Sequence, residues 1–420
     1  MKVLLINKFH YIAGGSESYH FALADMLRGL GHEVIFFAMM DERNVACDQA
    51  KFFPANVQYE GKQPLRHQMR AGIRFIYSWE ARRCISKLLD QEKPDIAHIS
   101  LIHHQLTFSV VDELYERNIP IVYTIHDYMC ICPNYTMLSH GKICDECVQK
   151  HSFLPCLQNR CVKDSLMKSM LSFCEAEFLK LTRRYNRISC YLAPSHIIFE
   201  KFQASRFSKA PVMFLRQFLP KDTPYQAEFA HEGFFLFYGR LTPQKGVMTL
   251  LRAIEKLPGA VLHIAGEGPQ RREAEAFIRE RNMEDRVHIL GFQQHDDMQE
   301  IVRRCKAVIM PSEWYENCPA SIYEAQAIGK PVIGSNLGGI PEMIRDGETG
   351  YLFNAGDADS LAEAIARLSA LTEESYRKMC LDTVGFAQEN YGYERYATVL
   401  SKVYSGLLSQ SKTRKAEETV

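Results

Sequence analysis

The feature that most constrains the fold of this chain is an alternation of short apolar segments with amphipathic, helix-like segments. In the first half the apolar segments are Val3–Ile6, Val34–Phe37, Ile96–Ile99 and Ile119–Ile125. In the second half they are Phe234–Tyr238, Val261–Ala265, Val287–Leu290, Ala307–Met310 and Pro331–Gly334. Strands that alternate with helices form parallel sheets with helices on both faces. The pattern predicts an α/β protein with two Rossmann-like, doubly wound parallel sheets, whose functional residues follow the strand ends and face a crevice between the domains.

The length of the chain agrees with two domains. Its 420 residues are too many for one ordinary domain and suit two domains of roughly 200 residues each. We expect the first domain at 1–203, the second at 204–389, a terminal helix near 390–408 and a disordered polar tail at 409–420.

Charge and hydropathy exclude several classes of protein. The formal net charge is zero, which gives no indication of a nucleic-acid partner. No apolar run reaches the roughly 18 residues of a membrane span, and the start MKVLLINKFHYIAGG indicates a strand and a glycine loop rather than a signal peptide. Thirteen cysteines without an export signal indicate a reducing cytoplasm.

Two glutamates with seven residues between them stand in the segment from Pro311 to Ile333. Glu316 lies in a turn before a helical pattern, and Glu324 lies more than one turn inside it. Pro319 suits the first helical position, where free backbone N–H groups and the helix dipole attract anions. This combination suits the sugar, phosphate and ribose of a sugar nucleotide.

The segment resembles the E-x7-E signature of retaining glycosyltransferases of family four, which have the two-domain GT-B fold and build bacterial polysaccharides. The resemblance implies that Glu316 contacts the donor sugar and that Glu324 holds the nucleotide ribose. It also implies a final helix that crosses back to the first domain. Many members carry Gly-Phe-Gly after the first glutamate, whereas this chain has Asn317-Cys318-Pro319, a departure that bears on the donor sugar.

A second segment, Tyr238 to Val247, places two cations after a strand end. Arg240 and Lys245 lie in the loop, and Gly246 precedes a helix. Negative charge grows on a diphosphate as the glycosidic bond breaks, and two cations would stabilise it. In the family the matching arginine and lysine bind the donor diphosphate.

Further segments match the family by position. The N-terminal glycine loop follows the first strand, a second glycine turn follows Ala265, and His126-Asp127 resembles the family's HD motif near the reacting sugar. The resemblance implies substrate-binding roles for Gly14, Gly15, Gly266, Glu267, Phe292, Asn317 and Pro319. It implies a catalytic role for His126 beside Arg240, Lys245 and Glu316. His103 and His104 also follow a strand, and their role stays open.

Cysteines cluster in the first half of the chain. The expected zinc ligands are Cys144, Cys147, Cys156 and Cys161, whose spacing suits a structural, tetrahedral zinc ion. Cys130 and Cys132 are alternatives for one ligand. A loop of reduced, packed cysteines and an iron–sulfur cluster are the competing interpretations.

Two helical segments of the first half are basic. Arg66, Arg70 and Arg74 recur at intervals of four, with Phe75 and Trp79 nearby. Like charges at that spacing oppose a helix, so we expect an anionic membrane surface as their partner. A second helix carries lysines and arginines that we expect to be solvated, and its expected core face is Leu166, Met170, Phe173 and Leu181.

Together, the resemblance implies a glycosyltransferase that moves a sugar from a UDP- or GDP-type donor to a glycan or lipid-linked acceptor with retention of configuration. It implies cell-surface polysaccharide synthesis at the inner face of the membrane. No side chain is an obvious covalent nucleophile, and with two cations at the leaving group no catalytic metal or other cofactor is expected. The alternatives are a sugar-nucleotide epimerase, which needs a placed acid–base pair, and a non-catalytic sugar-nucleotide-binding subunit.

Overall fold

The computed structural model describes residues 1–57 and 72–418, with side chains up to residue 411. The chain forms two compact units. The first contains Met1–Pro220 together with the segment from Glu394 onward, and the second contains Lys221–Tyr393.

The first unit is built on a parallel six-stranded sheet. Its strands are β1 (Lys2–Ile6), β2 (Glu33–Phe37), β3 (Ile96–Ile99), β4 (Ile121–Thr124), β7 (Cys190–Ala193) and β8 (Val212–Phe214). Their order is β2-β1-β3-β4-β7-β8, and a separate antiparallel hairpin joins β5 (Leu138–Ser139) to β6 (Lys142–Ile143). The central strands β3, β4 and β7 are buried along their whole length, because helices cover both faces of a doubly wound sheet.

Three helices of the first unit begin at a capping serine. The hydroxyls of Ser78, Ser165 and Ser195 accept backbone N–H bonds at the starts of these helices, which satisfies donors that the helix leaves unpaired. The helices of the unit are α1 (Gly15–Gly29), α2 (Trp79–Glu92), α3 (Ser109–Glu116), α4 (Glu146–Gln149), α5 (Leu154–Gln158), α6 (Leu166–Leu181) and α7 (His196–Ser205).

The second unit repeats the architecture. Its strands are β9 (Phe235–Tyr238), β10 (Leu262–Ala265), β11 (Val287–Gly291), β12 (Ala307–Met310), β13 (Val332–Ser335) and β14 (Gly350–Phe353), parallel in the order β11-β10-β9-β12-β13-β14. Its helices are α8 (Val247–Glu255), α9 (Arg271–Glu280), α10 (His295–Arg304), α11 (Ala320–Ala327), α12 (Ala358–Ser369) and α13 (Glu373–Tyr391). The predicted α/β fold with two doubly wound parallel sheets is confirmed.

Both sheets have a point at which the strand order reverses. In the first unit β2 and β3 lie on opposite sides of β1, and in the second unit β10 and β12 lie on opposite sides of β9. Loops diverge there at the carboxyl ends of the strands, which leaves room for a ligand. Candidate site residues are therefore expected in the loops after β1, β3, β9 and β12.

The last helix, α14 (Tyr393–Glu418), packs on the first unit through tyrosines. The hydroxyl of Tyr396 lies 2.5 Å from that of Tyr19, and the hydroxyl of Tyr404 lies 2.6 Å from Nδ1 of His98. Both tyrosine rings are buried, so these bonds are shielded from water.

Three details differ from the sequence-based expectations. The stretch expected to begin the second domain contains β8, which pairs with β7 in the first sheet. The expected polar tail at 409–420 is helical as far as Glu418. The expected core face of α6 is wrong, because Leu166, Met170 and Leu181 are exposed.

Within the described part of the chain, none of the helices combines the length and the apolar character that crossing a bilayer requires.

Candidate functional site

The main candidate site lies in the second unit, at the reversal point between β9 and β12. The loop after β9 packs against the start of the loop after β12, where Glu313 N donates to the Gln244 carbonyl at 2.8 Å. Gly246 has a φ of +68°, and a Cβ there would stand 1.9 Å from the Pro311 carbonyl oxygen. Glycine is therefore required for the two loops to approach this closely.

This packing brings together two residues that are 71 positions apart, Lys245 and Glu316. Nζ of Lys245 donates to Oε1 of Glu316 at 2.6 Å, and the Ser312 hydroxyl donates to the same oxygen at 2.6 Å. The Glu316 side chain is 7% exposed and that of Lys245 is 22% exposed. Nζ of Lys245 also lies 5.8 Å from the centre of the Trp314 ring.

The charge of Glu316 is stabilised by these partners. Burial alone would raise the pKa of this carboxyl, but the Lys245 charge and the hydrogen bonds from Lys245 and Ser312 outweigh it and lower the pKa overall. A buried carboxylate that keeps its charge fixes the position of the ammonium group opposite it. The pair is thus a preorganised polar element rather than two solvated side chains.

Arg240 lies in the same loop as Lys245 and is exposed. It forms no salt bridge with any residue that the structure describes. Glycines bring its loop against the next one, since a Cβ on Gly266 would stand 1.9 Å from the carbonyl oxygen of Gly239. The guanidinium remains accessible to an anion.

Helix α11 begins one residue later than the sequence predicts. Pro319 occupies the N-cap position with extended backbone, and Ala320 is the first helical residue, so the expected place of Pro319 is corrected. Ile322 N bonds the Pro319 carbonyl at 3.1 Å. Glu324 lies one turn into the helix, where burial raises its pKa and His295 partly opposes the shift.

The remaining expected residues of the second unit lie after β10 and β11. Gly266 and Glu267 follow β10, and Glu267 forms an ion pair with Arg271 at the start of α9. Phe292 follows β11 and its side chain is 77% exposed, which leaves the ring free to stack on a planar ligand. Asn317 is half-buried beside Glu316.

Sequence reasoning missed Gly338 and Gly339, which follow β13. A Cβ on Gly338 would stand 2.7 Å from Glu316 N, and one on Gly339 would stand 1.9 Å from the Asn317 carbonyl oxygen. Gly339 N donates to the Glu316 carbonyl at 2.7 Å. The available signal was a second Gly-Gly pair that, like Gly14 and Gly15, follows a predicted strand.

A second polar cluster lies in the first unit, at the ends of β3 and β4. Nε2 of His103 lies 3.1 Å from Oδ1 of Asp127, and Met129 N donates to the same oxygen at 3.0 Å. Burial opposes the charge of Asp127, yet His103 and the Met129 bond lower its pKa to about 2. His103, left open by the sequence, is thus the partner of the His-Asp motif.

His126 lies beside this pair and is packed rather than solvated. Its Nδ1 lies 3.3 Å from Nε2 of Gln217, and its ring centre is 4.9 Å from that of Tyr19. Burial lowers its pKa to about 4, against the opposing charge of Asp127. The imidazole is therefore neutral at pH 7.

The first glycine loop leads into α1. Gly14 is the N-cap residue and Gly15 begins the helix. Behind them, the buried carboxylate of Glu17 accepts a bond from Nδ2 of Asn7 at 3.2 Å, and burial raises the pKa of Glu17. The bond to Asn7 thus ties the first turn of α1, which follows the glycine loop, to the residue that comes directly after β1.

The six clustered cysteines between positions 130 and 161 form two groups. Cys132, Cys144, Cys147, Cys156 and Cys161 line one cavity of ≈ 10 Å³. Cys130 instead lines a neighbouring cavity. A hydrogen bond from the Cys156 thiol lowers the pKa of Cys161 to about 6, while burial raises that of Cys132 to about 12. In the described ranges, no group of three or more His, Cys, Asp or Glu side chains is already arranged to hold a metal ion, so the zinc ion stays a prediction.

The expected basic stripe is only partly described. Arg66 and Arg70 lie outside the described residues. Arg74 bonds Glu80 at 2.7 Å and the Ala55 carbonyl at 2.7 Å, and the Phe75 ring stacks on His104 at 3.9 Å. Arg74 and Phe75 therefore contribute to packing within the unit.

Comparisons with known proteins agree with the architecture. Residues 13–213 match the model of the family described as Glycosyltransferase Family 4, and residues 222–380 match that described as Glycosyl transferases group 1. The Anabaena protein HepE, solved with UDP and glucose, aligns over 97% of this chain and 100% of that chain with a TM-score of 0.68 and 17% identity. That likeness concerns the fold.

Relatives with closer sequence similarity match shorter stretches. An uncharacterised glycosyltransferase of Methanocaldococcus jannaschii is 29% identical over 174 residues, 41% of this chain and 48% of that protein. Alpha-D-kanosaminyltransferase of Streptomyces kanamyceticus is 31% identical over 137 residues, 32% of this chain and 35% of that protein. The chain thus spans half or less of the length of these relatives.

Proposed function

We propose that this chain, which carries the two domains of a GT-B glycosyltransferase, transfers a sugar from a nucleoside diphosphate donor to an acceptor hydroxyl with retention of anomeric configuration. The observation that carries the proposal is the Lys245–Glu316 pair, held at 2.6 Å at the reversal point of the second sheet, with Arg240 exposed in the same loop. HepE, a structural neighbour, binds UDP and glucose.

The proposed chemistry is stabilisation of the leaving group. The bond between the anomeric carbon and the diphosphate oxygen breaks, the acceptor oxygen bonds that carbon, and the acceptor proton passes to the departing diphosphate. Arg240, Lys245 and the N–H groups at the start of α11 stabilise the charge that develops. Glu316 holds Lys245 in place, and Glu324 binds the ribose.

The acceptor is proposed to bind to the first unit. His126 is neutral at pH 7 because burial lowers its pKa to about 4, and a neutral imidazole can bond a hydroxyl without competing for the diphosphate. His103 and Asp127 lie beside it. We also propose that the acceptor is a glycan or a lipid-linked molecule. The proposed pathway is polysaccharide synthesis, and the proposed location is the inner face of the membrane.

The test is product analysis with the purified full chain. We first screen UDP- and GDP-sugars by thermal shift, then incubate the stabilising donor with and without acceptor glycans. Release of the nucleoside diphosphate together with an α-linked product from an α-linked donor supports the proposal.

Two other outcomes would contradict it. Conversion of the donor sugar without any acceptor identifies an epimerase. Donor binding with no turnover under any acceptor condition identifies a non-catalytic binding subunit.

A further inference from the structure

Helix α6 of the first unit turns apolar side chains outward and polar side chains inward. Leu166, Met167, Met170 and Leu181 are 52%, 79%, 44% and 76% exposed; we call these four residues the α6 apolar face. The residues that the helix buries are Ser169, Ser172, Glu175, Ala176 and Leu179. A helix on the surface of a soluble domain normally has the opposite pattern.

The exposed side chains form one continuous stripe. Positions 166, 170, 174 and 181 follow one another at intervals of four, four and seven residues, which is one side of an α-helix. Cys174, at the middle position, is also exposed. A contiguous apolar surface of this kind indicates a contact site rather than scattered exposure.

Polar contacts hold the helix in this orientation. Val162 N donates to the Ser169 hydroxyl at 3.0 Å, and Phe153 N donates to Oε1 of Glu177 at 3.1 Å. Glu175 is buried, and burial raises its pKa. Rotating α6 to bury its leucines and methionines would break these bonds, so the outward face is fixed by the fold.

An exposed tryptophan lies near helix α6. The Tyr77 ring lies 6.4 Å from the ring of Phe178 on α6 and 4.7 Å from that of Trp79. Trp79 is 60% exposed. Tryptophan favours the boundary between lipid and water, because its ring is apolar and its N–H is polar.

Cations lie at both ends of the stripe. Lys163 and Lys168 are exposed where α6 begins, and Arg183 is exposed just after it ends. The carboxylate of Asp164, between the two lysines, lies 3.0 Å from Nδ1 of His140. The two acidic residues of the helix are engaged within the unit, Glu175 by burial and Glu177 through the Phe153 N–H. An apolar stripe with basic ends is complementary to an anionic bilayer surface.

We propose that the α6 apolar face inserts into the interfacial layer of an anionic lipid bilayer, with Lys163, Lys168 and Arg183 at the headgroups. A second copy of the chain is a poorer partner. In a two-fold dimer with antiparallel α6 helices the start of one helix meets the end of the other, and both carry cations that repel. The inference does not depend on the reaction proposed above.

Vesicle flotation with the full chain tests this proposal. The vesicles are pure phosphatidylcholine or an equimolar mixture with phosphatidylglycerol. Wild-type protein floats with the anionic vesicles, and the double variant Met167→Ser, Leu181→Ser binds them more weakly by about tenfold or more. Leu381→Ser, which changes an exposed leucine on α13 of the second unit, binds as wild type. In a Trp314→Phe background, brominated lipid quenches Trp79.

Several results would overturn the inference. These are no flotation, equal flotation with both vesicle types, or a double variant that binds as tightly as wild type. A concentration-dependent dimer that the double variant abolishes, without vesicle binding, assigns the face to a second copy instead. Thermal unfolding of the variant checks its fold, which surface substitutions at these positions leave intact.

Discussion

The two units share a fold and place polar side chains at corresponding strand ends, yet they hold different charges there. The second unit fixes Lys245 against Glu316 at 2.6 Å, and this partner helps to lower the pKa of the Glu316 carboxyl. The first unit uses histidines, with His103 bonded to Asp127 and a neutral His126 beside them. One scaffold thus holds a lysine–glutamate pair in one unit and, in the other, a histidine–aspartate pair with a neutral imidazole beside it.

The largest expected effect that sharpens this comparison is acid unfolding of the first unit. Burial lowers the pKa of His10 and His126 to about 4 and that of His20, His98 and His104 to about 3. The unfolded chain therefore binds more protons below pH 6.5. With respect to these histidines, the free energy of unfolding has its full value above pH 6.5. It falls as the pH approaches 4, by about 1.4 kcal/mol for each histidine and each unit by which its pKa is lowered.

Two carboxyls of the first unit have the opposite effect on stability, because burial raises the pKa of Glu17 and Glu175. As the pH falls, these two groups take up protons more readily in the folded state than in the unfolded state. In the second unit His231 and His263 also have a lowered pKa, but both lie closer to solvent.

Trp79 and Trp314, the two tryptophans of the chain, report on one unit each. In single-tryptophan variants, the Trp79 signal should be lost at lower temperature as the pH falls from 6.5 to 4. If the unfolding temperatures reported by Trp79 and Trp314 fall equally with pH, the predicted difference in acid stability between the two units is wrong.

Removal of the Lys245 charge should separate catalysis from stability. Lys245→Ala should lower the transfer rate by about 10²-fold or more and should also lower the melting temperature, since Glu316 stays buried without its cation. The double variant Lys245→Ala, Glu316→Gln should recover stability but not rate. Lys256→Ala, which removes an exposed lysine paired with Asp359, is the control. A double variant that regains activity would show that Lys245 serves only the fold.

A smaller effect is expected from the glycines behind the site. Gly339→Ala should destabilise the second unit by about 1–3 kcal/mol, because its Cβ would meet the Asn317 carbonyl oxygen. Gly385→Ala, inside α13 with open space around it, should stabilise by about 0.5–1 kcal/mol. Thermal unfolding of both variants measures the difference. Equal effects would show that close packing against Asn317 does not shape the loop.

The smallest effect on catalysis is expected from the cysteine loop. We predict about one zinc ion per chain in protein purified without chelator, because four cysteine thiolates suit tetrahedral zinc. Cys144→Ser should lose the ion and make the loop sensitive to protease, whereas Cys130→Ser, which changes the neighbouring cavity, should keep it. Metal-free protein with an unchanged digestion pattern would leave reduced, packed cysteines as the interpretation.

The sequence predicted those features that depend on local pattern. Alternating apolar segments predicted both sheets, and the spacing within Pro311–Ile333 predicted Glu316 in a loop and Glu324 on a helix. It could not predict which side chains from different loops would meet. The bonds of Glu316 to Lys245 and of Asp127 to His103 depend on strand order, which a linear pattern does not contain.

Helix α6 shows why apolar periodicity can mislead. Leu166, Met170 and Leu181 recur at helical spacing, which predicts a core face. The structure exposes that face, because Ser169 and Glu175 on the other side are engaged with the unit. Periodicity identifies an apolar stripe but does not say whether the partner is the protein's own core.

The most direct test of the donor site is a titration of UDP followed by the fluorescence of Trp314, in a Trp79→Phe background. Nζ of Lys245 lies 5.8 Å from the Trp314 ring, so a diphosphate that reaches Lys245 should change the signal. We predict saturable binding that Arg240→Ala weakens by about tenfold or more, with no change for Lys256→Ala. No response to UDP or GDP, or equal affinity of the Arg240→Ala variant, would contradict the assignment of this loop to the donor diphosphate.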